Sequence, residues 1–62
     1  MDIEPGQVWE MYSAREKRWV AVVVVKVEDD RVRLRPMGLI EFFTVALVDM
    51  VRPELFRRAK GR

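Results

Sequence analysis

Six valines fall within the nine residues Trp19-Val20-Ala21-Val22-Val23-Val24-Val25-Lys26-Val27, and no other stretch restricts the chain as severely. Valine branches at Cβ, which stiffens χ1, disfavours a helix and fits the pleated surface of a sheet. A strand over these residues is therefore predicted. Side chains alternate across a strand, so Val20, Val22 and Val24 take one face and Ala21, Val23, Val25 and Val27 the other. In a small barrel only one of the two sets is interior, and the other needs cover. Two kinds of cover are open: the C-terminal segment with Leu55 and Phe56 folded over it, or a second protein surface.

The neighbouring segments read as more sheet. Glu28-Asp29-Asp30 is turn chemistry, since short polar side chains bond to their own backbone. Arg31-Val32-Arg33-Leu34-Arg35 then alternates strictly, and a hairpin from Trp19 to Arg35 follows. Upstream, Pro5-Gly6 marks a turn and Gln7-Val8-Trp9-Glu10-Met11-Tyr12 suits a half-buried strand. Ser13 to Arg18 reads as an exposed charged loop. Downstream, Met37-Gly38-Leu39-Ile40 reads as a turn region and Glu41-Phe42-Phe43-Thr44-Val45 as a fourth strand. Pro53 limits any helix before it, which leaves a single helical or 3₁₀ turn around Leu47 to Met50. The residues that follow admit a short fifth strand over Leu55-Phe56-Arg57-Arg58 or a helix from Pro53 to Lys60. The fold class is all-β: a small barrel of four to five antiparallel strands with a short 3₁₀ or helical turn near the C-terminus. Residues 1–62 form one domain, with an ordered core over 5–58 and residues 59–62 frayed.

Composition sets limits on function. A chain of 62 residues builds a core worth only about 3–5 kcal/mol, and domains of this size commonly add disulfides, a metal or a second subunit. Cysteine and histidine are both absent, so disulfides and the usual zinc ligands are unavailable, and self-association remains. The lack of cysteine suits a reducing cytoplasm, and the N-terminal Met1-Asp2-Ile3-Glu4-Pro5 has neither the basic nor the apolar region of a signal peptide. No apolar run approaches the roughly 20 residues that cross a bilayer. No catalytic constellation, phosphate-cradling glycine loop, cofactor site or metal site is visible, and a chain this small lacks the volume of a typical small-molecule pocket. The expectation is a non-enzymatic cytoplasmic protein with no cofactor and no small-molecule substrate.

The phrase Pro5-Gly6-Gln7-Val8-Trp9-Glu10, followed by a charged loop, a long hairpin, a short helical turn and a final basic strand, resembles the small SH3-like barrels of bacteria and their phages. The resemblance spans roughly residues 4–58. It implies five strands in a strongly bent sheet, with the charged loop standing where SH3 domains carry their RT loop. The tyrosine-rich groove and acidic loop of the peptide-binding SH3 domains are missing, since Tyr12 is the sole tyrosine, so recognition of proline-rich ligands does not carry over.

Two binding surfaces follow from these patterns. The first is a protein interface, to a second copy or another protein, centred on Val22, Val24 and Phe56 with arginines at its rim. The second, an alternative, is a nucleic-acid surface. In it Trp9 and Trp19 come together at one end of the barrel, and Trp19 stacks beside Arg15, Lys17 and Arg18. Arg31, Arg33 and Arg35 extend that surface as a stripe with a spacing of about 6.6 Å, two strand rises, close to the phosphate repeat of an extended strand. The net charge of +2 favours neither surface by itself. Geometry separates them: a basic patch containing an exposed ring favours the second, and an aliphatic patch favours the first.

Overall fold

The computed structural model describes residues 3–59. Five antiparallel strands form one sheet: β1 (Val8–Ser13), β2 (Arg18–Glu28), β3 (Arg31–Pro36), β4 (Phe43–Ala46) and β5 (Phe56–Arg58). Their order across the sheet is β4-β3-β2-β1-β5, so the first strand lies between the second and the last. A 3₁₀ turn, Leu47–Val51, links β4 to β5. This is the all-β architecture expected from the sequence, and the C-terminal segment is a strand rather than a helix. Pairing with β1 satisfies its backbone: Met11 faces Phe56, Tyr12 N–H donates to Leu55 O at 2.9 Å, and Ala59 N–H donates to Val8 O at 3.2 Å. Ala59 is thus tied to the sheet, while the expected fraying of residues 60–62 lies outside the described residues.

The valine run forms the longest strand, but its alternation is broken once. Val24 pairs with Leu34 and Lys26 with Arg33, which leaves Val25 as the extra residue of a β-bulge. Before the bulge the inward residues are even-numbered, Val22 and Val24; after it the inward residue is Val27, opposite Val32. One bulge therefore resolves the problem of a strand apolar on both sides. It also bends β2, which allows one strand to serve both halves of a curved sheet.

The interior is built from Ile3, Val22, Val24, Val32, Leu34, Met50 and Phe56, with Trp9, Met11, Val27, Phe43, Val45, Leu47 and Leu55 packed against them. The 3₁₀ turn contacts both edge strands, β4 and β5, which do not pair with each other, and it contributes the buried Met50 to the core. The turn is anchored at its start by Leu47 N–H donating to Asp30 O at 2.7 Å. Ahead of β1, Gly6 N–H donates to Val24 O at 2.8 Å and Val24 N–H to Gln7 O at 2.9 Å. Gly6 has φ of +92°, a left-handed conformation that glycine adopts without steric cost, and this turn carries Ile3 into the core.

The fourth strand begins two residues later than the sequence pattern predicts, at Phe43 instead of Glu41. Pro36 ends β3, Leu39 N–H donates back to Pro36 O at 3.2 Å, and Gly38 turns with φ of +86°. Residues 37–42 thus become a loop despite their apolar content.

Candidate binding surface

The strand register sorts every sheet residue to one of two sides. Running across the outer side, the rows are Ala46, Arg31 and Glu28; then Thr44, Arg33 and Lys26; then Arg35, Val23 and Val8; then Ala21, Glu10 and Arg57; and at the end Trp19 and Tyr12. The interior takes the alternate residues.

The expected protein interface at Val22, Val24 and Phe56 is overturned, because all three side chains are buried in the core. Val22 and Val24 stand on the side of β2 that meets Leu34, and Phe56 stands on the inner side of β5 opposite Met11. The aliphatic residues of β2 left outside are Ala21, Val23 and Val25.

The expected meeting of Trp9 with Trp19 is also overturned, since the register places them on opposite sides of the sheet. Trp9 packs against the core and its Nε1–H donates to Gln7 Oε1 at 3.0 Å, while the Arg58 guanidinium lies 5.5 Å from its ring centre. Trp19 lies on the outer side. Arg18 precedes it on the other side of the strand and donates from Nε to Glu16 Oε1 at 2.8 Å. Arg15 and Lys17 are exposed in the tight turn 14–17, where Lys17 has φ of +57°. The loop cations are not gathered on Trp19.

A different arginine is. The Arg57 guanidinium stacks over the Trp19 ring at 4.1 Å, steadied by its Nε–H donating to Glu10 Oε1 at 2.6 Å across β1. Tyr12 meets Trp19 edge-on, with ring centres 5.5 Å apart and planes at 70°. Sequence reasoning missed Arg57, Glu10 and Tyr12 because β5 joins β1 only through the tertiary fold. The alternation of Phe56 inward and Arg57 outward was the one local clue.

The arginine stripe is present as expected. Arg31, Arg33 and Arg35 share the outer side of β3. Arg33 lies 4.8 Å from the ring centre of Phe42, and Arg35 Nη1–H donates to Leu39 O at 2.8 Å. Among the described residues none of the three makes an ion pair. The nearby carboxylate, Glu28, is engaged by Lys26 at 2.9 Å. That hydrogen bond and the Lys26 charge hold the Glu28 carboxyl below the usual glutamate range, with a smaller contribution from Arg33.

The loop 37–42 was not anticipated as a surface feature. Met37 is 53% exposed, Leu39 56%, Ile40 90% and Phe42 54%. Met37 to Ile40 read as a turn and do lie in a loop; the end of β3 at Pro36 is what leaves their apolar side chains outside.

Among the described residues there is no cluster of three or more potential metal ligands, and no helix is long and apolar enough to cross a membrane. No family model matches the chain, nor does any curated protein or solved structure.

Proposed function

We propose that this chain is a non-enzymatic protein-interaction module, an SH3-like barrel of the bacterial and phage type working in the cytoplasm, which self-associates through the loop 37–42. The SH3-like reading is supported by the strand order, with the first strand between the second and the fifth, and by the 3₁₀ turn before the last strand. The observation that carries the interaction is the loop: four large apolar side chains within six residues, Ile40 almost wholly in water. Contiguous apolar exposure of this kind marks contact sites.

A second copy is the occupant the chemistry favours. The core is small, there are no cysteines, and an added subunit is the remaining way to bury more apolar surface. The loop is also self-complementary in charge, since Glu41 lies within it and Arg35 is fastened to its base through Leu39 O. A two-fold contact sets Glu41 of one copy against Arg35 of the other around an apolar centre of Leu39 and Ile40.

Burying Ile40 fully contributes about 2 kcal/mol per copy, so its loss across a two-fold contact weakens association about a thousandfold. Sedimentation equilibrium over a concentration series at two ionic strengths tests this. A dimer that persists at high salt in the parent chain, with Ile40→Asp folded and monomeric, supports the proposal. A monomeric parent chain, or an Ile40→Asp variant that still dimerises, overturns it.

A further inference from the structure

The outer side of the sheet carries a second kind of surface, which meets the loop contact only at Arg35 and Phe42. Five cations lie on it, Lys26, Arg31, Arg33, Arg35 and Arg57, together with two carboxylates, Glu10 and Glu28. Both carboxylates are already occupied, Glu10 by Arg57 and Glu28 by Lys26. The three arginines that make no ion pair among the described residues are consecutive outward residues of one strand. Extended backbone separates such residues by about 6.6 Å, which approximates the phosphate repeat of an extended nucleic-acid strand.

Rings border this line of charge. Phe42 lies against Arg33 at one side of the stripe, 54% exposed, with the guanidinium over its ring. Beyond the small central residues Val23 and Ala21 stand Trp19 and Tyr12. A row of unpaired arginines alone would suit any polyanion. Exposed rings at its border add flat apolar faces that phosphate or sulfate groups do not use and that nucleobases do. The small residues between them leave the sheet low enough for an extended ligand to lie across it.

We infer that this outer side binds single-stranded nucleic acid, with Arg31, Arg33 and Arg35 on successive phosphates and Phe42 stacking a base. The reading is independent of sequence in the ligand, because the contacts are to backbone charge and to base faces. It does not rest on self-association.

The test is fluorescence anisotropy of a labelled fifteen-nucleotide oligo-dT titrated with the full chain at several salt concentrations. Three phosphate contacts to a single strand predict a slope of log K against log salt near −2. Arg33→Ala should weaken binding and reduce that slope by about 0.7. Phe42→Ala should weaken binding about tenfold with the slope unchanged, since stacking releases no counter-ions. Both sites are on the surface, and far-UV circular dichroism checks that each variant keeps its sheet; Arg31→Ala serves as a second charge variant. Ile40→Gln, which weakens the loop contact without adding charge, should bind at least as tightly as the parent because it leaves Arg35 and Phe42 free, and weaker binding would overturn the inference; this keeps its failure distinguishable from failure of the loop contact. No binding at low salt overturns the inference. So does an affinity indifferent to Phe42→Ala, which would mark a general polyanion surface, or a duplex of equal length bound equally well.

Discussion

Removing one valine from the run Val22–Val25 should leave the protein folded, whereas removing Arg33 from the neighbouring strand should unfold it. The four valines are consecutive and identical, so deletion of any one of them gives the same polypeptide. That polypeptide loses the bulge, because Val24 and Lys26 already pair with Leu34 and Arg33 across the unpaired Val25. Every remaining side chain then keeps its present side. The cost is the partial burial of one valine that is 39% exposed, roughly 1 kcal/mol, together with the loss of the bend. Removal of Arg33 has no such escape, because β3 pairs with β4 residue for residue from Arg31 to Leu34. Either Arg31 then takes the buried position of Val32, or Arg35 takes that of Leu34. An unpaired charge in the interior costs about 3–5 kcal/mol, and the aliphatic burial lost with it adds about 1.5–3 kcal/mol. The total exceeds the stability of about 3–5 kcal/mol that a core this size provides. Urea titration followed by tryptophan fluorescence and far-UV circular dichroism distinguishes the two. A cooperative transition for the valine deletion with none for the Arg33 deletion is expected. Equal unfolding of both, or a cooperative transition in the Arg33 deletion, would refute the assignment of the bulge.

Two further outcomes follow from local features. Lys17 holds a left-handed φ of +57° in the tight turn between β1 and β2, so Lys17→Gly should raise the urea midpoint by up to about 1 kcal/mol of stability and Lys17→Val should lower it. Glu28 has a carboxyl held below its ordinary range by the Lys26 hydrogen bond and charge. Its folded-state pKa is the lower one, so the small stabilisation is present above the unfolded value and is lost as pH falls through the folded one. An NMR titration of the Glu28 side chain should show this depression, and Lys26→Ala should return it toward the ordinary range.

Much of the sheet was legible because its signals are local. The valine run, the alternation of β3, the Asp29-Asp30 turn and the stop imposed by Pro53 each act through neighbouring residues, and each element formed where it was expected. The inward side of β2 was not legible, because a bulge in a run of identical residues leaves no mark: Val24 and Val25 are equally good strand formers, and only the pairing with β3 decides which is skipped. The arginine stripe could be read from alternation within one strand. The grouping of Arg57, Glu10, Tyr12 and Trp19 could not, since residues 47 apart in sequence meet through β1. Residues 37–40 read as a turn and lie in a loop, but the loop's apolar exposure was not legible, for a related reason. Met37, Leu39 and Ile40 have the character of core residues, and their exposure depends on where β3 ends.

The position of β1 has a consequence for timing. The strand that begins the sheet is bordered by the strand that ends it, with Met11 opposite Phe56. A growing chain can form the β2–β3 hairpin early, because its contacts are local, but β1 lacks its second neighbour until almost the whole polypeptide has emerged. Folds that depend on such distant pairings complete slowly. During that interval β1 stands with one flank open, and a half-apolar strand in that state is prone to pair with another chain. Its one charge, Glu10, stands in the middle of the open flank and discourages such pairing until Arg57 arrives to meet it. Synthesis of shortened chains ending before Phe56 should therefore yield insoluble material, whereas chains ending at Ala59 fold.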